Sequence, residues 1–145
     1  MKIREANIDD YKAVQKLSIQ LGYEYPVNEV KEKLSSILKD IDHRIILAIN
    51  PITDEVIGYI HVQKYQTLYF DDLLNILGMV IDEAWRNKGV GSALIQKIEE
   101  IAGEFKCKGI RAASSVKRTD AHMFYQRRGF DIIKEQKRFI KRLDV

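Results

Sequence analysis

Two hydrophobic rhythms alternate along this chain. Ile3 to Ala6 reads as a short opening strand, and Asn7 stands where a helix N-cap belongs, with Asp9 and Asp10 in the turn behind it. Tyr11, Val14, Leu17, Ser18 and Leu21 recur at helical spacing and define one buried face, which Gly22 closes. Pro26 holds Tyr25 in extended geometry, so Tyr23 to Pro26 is a loop. Val30, Leu34, Ile37, Leu38 and Ile41 then mark a second amphipathic helix.

The rhythm changes at Arg44. Arg44 to Ile49 is rich in β-branched residues, Asn50 to Glu55 is turn chemistry, and Val56 to Tyr65 resumes as a strand, which predicts a hairpin. A polar and aromatic connection, Gln66 to Asp72, leads to a further strand over Leu73 to Ile81. Gly89 opens the clearest helix, with Val90, Leu94, Ile98, Ile101 and Phe105 on one face and Lys97, Glu99, Glu100 and Glu104 on the other. Ile110 to Ser115 predicts another strand, Thr119 to Arg128 a short helix stopped by Gly129, and Phe130 to Leu143 one or two final strands. The order β, α, α, β, β, β, α, β, α, β describes a mixed α/β domain, with no repeat or linker to divide residues 1–145.

Composition adds limits. A chain of 145 residues fits a single domain, and an apolar fraction of 46% with 31% charged residues is ordinary for a soluble globular protein. A net charge of +3 is too small to imply a nucleic-acid partner. The positive charge gathers late, at Lys106, Lys108, Arg111, Lys117, Arg118, Arg127 and Arg128, which is either a solvated surface or a site for a phosphorylated ligand. Cys107 is the only cysteine, so no internal disulfide or cysteine-held metal is expected; its lysine neighbours are of the kind that lower a thiol pKa. The N-terminus lacks the apolar core of a signal peptide, and no apolar run is long enough to span a bilayer, so the expected location is cytoplasmic.

The chemistry concentrates in Met79 to Ser92, where a strand runs through a glycine-containing turn into a long helix. That arrangement aims several free backbone N–H groups and the positive end of a helix dipole at one spot, and a pyrophosphate is its natural occupant. A Cβ at Gly89 or Gly91 would obstruct phosphate oxygens approaching the backbone. The pattern is neither a Walker loop nor a dinucleotide fingerprint.

Arg86-Asn87-Lys88-Gly89-Val90-Gly91 resembles the acetyl-CoA pyrophosphate loop of the GNAT superfamily of N-acetyltransferases, and Ala121 to Phe130, with Tyr125 and a Gly-Phe ending, resembles that family's downstream helix motif. Leu21 to Pro26 is similar to a substrate-side loop of small bacterial members, and Val116 to His122 is similar to members that acetylate small amino acids or aminoalkylphosphonates. The resemblance covers nearly the whole chain. It implies a mixed central sheet of about six to seven strands flanked by about four helices.

The same resemblance implies that acetyl-CoA is the co-substrate, with no metal, and that an amine attacks the thioester directly. Met79, Val80 and Ile81 would offer backbone groups to the pantetheine arm, with a backbone N–H near Ile81 polarising the thioester carbonyl. Arg86, Asn87, Lys88, Gly89, Val90, Gly91 and Ser92 would hold the phosphates, and Arg118, outside the family pattern, is a candidate for a CoA phosphate, a substrate acid group or a solvated surface. Tyr125 would be the general acid; a phenol near ~10 protonating a thiolate near ~8.5 is mismatched by only about 2 kcal/mol. Tyr23, Glu24 and Asn75 are the substrate-side residues. The implied partner is a small-molecule amine, with no nucleic acid and no membrane, and a homodimer is compatible with the fold. A protein or peptide acetyltransferase, and a non-catalytic acetyl-CoA-binding regulatory module, are the alternatives.

Three positions depart from the family pattern. Gly78 stands where many members carry a Glu that deprotonates the incoming ammonium, so Glu24, His61, Asp72 and a water chain leaning on Asn75 become the candidate bases. Arg118 stands seven residues before Tyr125, where an Asn is frequent, and Glu83 replaces a frequent Pro.

Overall fold

The computed structural model describes residues 1–143, which cluster into two compact units, Met1–Ala112 and a second that begins at Ala113. The first unit is a five-stranded sheet in the order β1-β2-β3-β4-β5, formed by β1 (Lys2–Glu5), β2 (His43–Ile49), β3 (Val56–Tyr65), β4 (Leu73–Ile81) and β5 (Gly109–Ala112). The first four strands pair antiparallel, and β5 joins β4 in parallel. The helices are α1 (Tyr11–Gln20), α2 (Val27–Leu38) and α3 (Val90–Glu104), the last being the crossover a parallel pair requires.

Local chemistry explains the boundaries. Asn7 and Asp10 form a reciprocal capping box around a single 3-10 turn that leads into α1. Arg4 grips the same Asp10 carboxylate with both guanidinium nitrogens, at 2.8 and 2.9 Å, which ties β1 to the entry of α1. Burial alone would raise the Asp10 carboxyl, but the Arg4 hydrogen bonds, the Asn7 N–H and the Arg4 charge outweigh it and hold the carboxyl below its usual range. Helix α2 stops at Leu38, so Ile41, expected on its buried face, is 86% exposed. An Asx-type turn in which Asp40 Oδ1 accepts from Asp42 N–H at 2.9 Å ends the helical register before Ile41.

The sheet is covered on both faces, which is why β2 reads as a continuous apolar run. Ile45, Leu47, Ile49, Tyr59 and Val80 pack with Leu17 of α1 and Leu34 of α2. The alternate residues, including Ile46, Ile60, Val62 and Leu74, are buried with Leu94, Ile95, Ile98 and Ile101 of α3. Ser18, the one polar member of the α1 face, donates to Val14 C=O at 2.7 Å and so accepts from the Tyr59 hydroxyl at 2.7 Å. Gly58 permits a close approach: a Cβ there would lie 3.0 Å from Ile81 Cδ1 and 3.1 Å from Val80 C=O, with Val90 Cγ1 at 3.4 Å. The start of α3 therefore seats directly on the end of the hairpin.

The second unit contains α4 (Thr119–Arg127), closed by Gly129 at φ +89°. The strands expected over Phe130 to Leu143 do not form, and the predicted strand from Ile110 to Ser115 ends at Ala112. The sheet therefore has five strands among the described residues rather than six to seven. The tail's sequence explains this. Ile132 and Ile133 are adjacent, as are Phe139 and Ile140, and Lys134 to Arg138 is polar throughout, so strand alternation would give neither face a uniform character. Among the described residues no helix is long and apolar enough to cross a membrane.

Candidate active site

The site grows from an irregularity in β4. His61 pairs with Gly78 and Val62 with Ile76, so Leu77 is an extra residue, a bulge that leaves it 47% exposed. Pairing with β5 stops at Ile76. From Leu77 to Ile81 the edge of β4 that faces away from β3 thus has no strand neighbour among the described residues, and its N–H and C=O groups are available to an extended ligand. Met79, Val80 and Ile81 lie on this stretch, as the sequence predicts.

The strand then meets a stiff turn. Asp82 caps a 3-10 turn over Glu83–Trp85, and Gln20 of α1 clasps it by accepting from Glu83 N–H at 3.0 Å and donating to Asp82 Oδ1 at 3.3 Å. Arg86 Nε donates back to Ile81 C=O at 3.4 Å, and Lys88 lies 5.2 Å from the Trp85 ring centroid. Asn87 and Gly89 both take left-handed backbone, φ 61° and 85°.

Gly89 is the N-cap of α3 and supplies no side-chain cap. Its carbonyl accepts from Ala93 N–H at 3.1 Å, while the N–H groups of Val90, Gly91 and Ser92 donate to no protein acceptor among the described residues. Arg86, Asn87, Lys88 and Gly89 are exposed around them. A helix N-terminus of this length, with unpaired N–H groups and a flanking arginine and lysine, fits a diphosphate. All ten predicted residues from Met79 to Ser92 thus occupy one continuous strand–turn–helix surface.

The face of β4 turned toward α1 has a hollow. A Cβ on Gly78 would have only Leu21 Cδ2 near it, at 4.0 Å. Tyr23 and Glu24 follow Leu21 in the loop after α1; Tyr23 is 62% exposed and Glu24 is exposed. His61 stands directly across from Gly78, a pairing that sets Cβ positions about 4.5–5.5 Å apart. Its Nε2 is 2.8 Å from His43 Nδ1, and His43 Nε2 is 3.8 Å from Asp40 Oδ2. Burial, then the neighbouring His43, lowers the His61 pKa to about 4, so its ring is neutral at pH 7. Asn75 is 9% exposed and accepts from Arg111 Nη1 at 2.9 Å, while Asp72 is engaged by Gln66 Nε2 at 3.0 Å and Lys64 Nζ at 3.7 Å. A separate hollow of about 220 Å³, lined by residues including Glu5, Ile37, His43 and Arg44, contains none of the predicted site residues.

In the second unit, α4 carries Tyr125 and begins beside Arg118, which occupies the N-cap position. The Tyr125 ring packs edge-on against Phe124 and Phe130, with centroids 5.5 and 5.2 Å apart. Burial raises the phenol pKa, and the Arg118 charge opposes that rise. His122 Nε2 contacts Ser115 C=O at 2.8 Å, which gives it a structural task. Cys107 differs from the sequence expectation: burial raises its thiol pKa, and although Lys64 pulls it down, Asp72 pushes it up.

Sequence reasoning missed the His43–His61 pair and the Arg111–Asn75 bond. Both link residues distant along the chain, and strand register alone brings them together.

Comparisons with known proteins complete the picture. The profile of the Acetyltransferase (GNAT) family matches residues 10–130. YdhI of Bacillus subtilis strain 168, an uncharacterised protein, is 38% identical over 50 residues, which is 34% of this chain and 31% of that relative's length. A transcriptional regulator from Bacillus halodurans C-125 superposes with a TM-score of 0.85 at 25% identity, covering 97% of this chain and 99% of that one. The aminoglycoside N-acetyltransferase AAC(6')-Iy, solved in complex with CoA, superposes with a TM-score of 0.82 at 18% identity over 98% and 100% of the two chains.

Proposed function

Since the chain belongs to the GNAT acetyltransferase family, we propose that it is an N-acetyltransferase that moves the acetyl group of acetyl-CoA onto a primary amine of a small molecule, such as an amino acid or an aminoalkylphosphonate. The observation that carries this reading is the uncapped N-terminus of α3 at the end of a free β4 edge. The family profile runs across both compact units, which supports treating residues 1–145 as one catalytic domain. We place that domain in the cytoplasm.

Val90, Gly91 and Ser92 N–H groups, with Asn87, Gly89, Arg86 and Lys88 around them, hold the diphosphate, and Arg118 adds charge. Met79, Val80 and Ile81 hold the pantetheine arm through backbone hydrogen bonds. Acetyl-CoA, once bound, supplies the activated acyl group. Tyr125 donates a proton to the departing sulfur; a phenol pushed above its ordinary pKa stays protonated at neutral pH, as a donor must. Tyr23, Glu24 and Asn75 border the acceptor side.

Of the four candidate bases, His61 has the best support. It faces the hollow at Gly78, whereas Asp72 is held by Lys64 and Gln66 and Asn75 by Arg111. In the tautomer where His61 Nε2–H donates to His43 Nδ1, the His61 Nδ1 lone pair is left for the amine proton, and His43 Nε2 lies 3.8 Å from Asp40 Oδ2, near enough for electrostatic support but not a hydrogen bond.

Aminoglycoside acetyltransferases of the same fold support acetylation of a small amine. The Bacillus halodurans regulator supports a second reading, a non-catalytic acetyl-CoA-binding module. A thiol-release screen with acetyl-CoA across amino acids, aminoalkylphosphonates, polyamines, aminoglycosides and peptides separates them. Thiol release with free small amines and not with peptides is the expected result. Tight acetyl-CoA binding with no release for any amine establishes the regulatory reading instead.

A further inference from the structure

The sheet face that bears Gly78 also bears a cation without an ionic partner. Leu74 and Ile76 turn toward the α3 side, so Asn75 between them faces the α1 side; after the bulge at Leu77, Gly78 and Val80 face that side too. Arg111 on β5 is the register partner of Asn75 and bonds to it through Nη1. The guanidinium carbon lies 4.9 Å from the Tyr65 ring centroid. Arg111 is half-buried, and among the described residues it forms no salt bridge.

This geometry leaves donors without acceptors. Asn75 spends its oxygen on Arg111, and its Nδ2 donates to no protein group among the described residues. Arg111 uses one N–H on Asn75, and its remaining N–H groups have no protein acceptor among the described residues. The carboxylate of Asp72, at the entry to β4, is already engaged by Lys64 and Gln66. A guanidinium steadied by an aromatic ring and an amide, with its other N–H groups unsatisfied, is the arrangement that grips a planar or tetrahedral oxyanion through paired hydrogen bonds.

We propose that Arg111, with Asn75 and Tyr65, anchors an acidic group of the acceptor, so that the substrates are amines carrying a carboxylate or phosphonate a few bonds from the nitrogen. This rests on the acetyl-transfer reading above and names its substrate class. From Asn75 to Gly78 the strand advances about 7–10 Å. A short zwitterion with hydrogen bonds of about 2.9 Å at its two ends covers that span. Its acid end meets Arg111 while its amine reaches the hollow at Gly78 opposite His61. Polycationic amines, by contrast, would place positive charge against the guanidinium.

Matched pairs of amines test the anchor. Thiol release from acetyl-CoA is measured with α-amino acids and their carboxamides, and with aminoalkylphosphonates and their diesters, for the wild type, Arg111→Gln and Arg111→Lys. The wild type favours each acid over its neutral partner by at least tenfold in kcat/KM, and the preferred pair shows whether the anion is carboxylate or phosphonate. Arg111→Gln abolishes that preference, mostly through KM, and slows the neutral amines far less than the acids; Arg111→Lys keeps part of it. Equal turnover of acids and neutral partners by the wild type overturns the proposal. So does an equal slowing of both by Arg111→Gln, which is what a purely structural staple between β4 and β5 produces. Thermal melts check folding, and Arg111→Lys carries the comparison if the glutamine variant does not fold. If the wild type releases thiol with no amine, acetyl transfer itself fails, and calorimetry of the CoA-loaded protein with the same acids decides the anchor. Acid binding weakened at least tenfold in the variants keeps it, and absent or unchanged acid binding removes it.

Discussion

Burial displaces Tyr125 and His61 from their ordinary pKa values in opposite directions: at neutral pH the phenol keeps its proton and the imidazole stays free of one, and the same shifts make the phenol a weaker acid and the imidazole a weaker base. If Tyr125 acts only on the departing sulfur, Tyr125→Phe lowers kcat by about 10²–10⁴-fold and leaves acetyl-CoA affinity nearly unchanged. Steady-state kinetics with calorimetry on the same samples checks this, and an unchanged kcat at every pH makes the tyrosine structural. His61 gives a pH signature independent of activity. Its folded pKa, about 4, lies below the ordinary 6.5, so above pH 6.5 both folded and unfolded states are neutral. As pH falls from 6.5 to 4 the unfolded chain takes a proton that the native state refuses, and stability drops by about 3 kcal/mol, with the loss complete below 4. His61→Gln removes this component, so its urea-derived stability declines less steeply than the wild type's across that window. Parallel curves for the two proteins would contradict the burial of a neutral ring. Tyr125 could be singled out as a candidate because it sits inside a local motif. The pairing of His61 with His43 was not, because the two are brought together only by the register of β2 and β3.

At the scale of elements, the chain announced itself wherever local chemistry and periodicity agree. Val56–Tyr65 and Leu73–Ile81 were readable to the residue because turn-forming residues bracket both runs. Helix α3 was readable from Gly89 and its apolar stripe. The bulge at Leu77 and the end of β5 pairing at Ile76 were not, since both are set by which neighbour a strand finds. The Phe130 to Leu143 segment shows the same limit from the other side: apolar residues without consistent alternation do not commit a chain to a strand. The first turn of α3 yields the prediction at this scale. Gly91→Val places a branched side chain beside the unpaired N–H groups and weakens acetyl-CoA binding at least tenfold, about 1.4 kcal/mol, by calorimetry. Unchanged affinity in a folded variant would remove the diphosphate from this turn.

For the whole molecule, one covered sheet brings a free strand edge, an uncapped helix and a hollow without a carboxylate into the first compact unit, and α4 with Tyr125 belongs to the second. The mixed α/β class and the order of elements up to α4 were legible in the sequence. The identity of the acceptor was not, because it depends on side chains such as Arg111 that only the sheet assembles next to Asn75. The most direct measurement follows the acetyl group itself. Acetyl-CoA carrying a carbon label in the acetyl group is incubated with the protein and a mixture of free amino acids and aminoalkylphosphonates, and the label is located by mass spectrometry. Label in a new N-acetyl amide, formed in step with free thiol and reduced by about 10²–10⁴-fold in Tyr125→Phe, is the expected result. Label that stays in the thioester while the protein binds it tightly, for these amines and for every other amine offered, would contradict acetyl transfer.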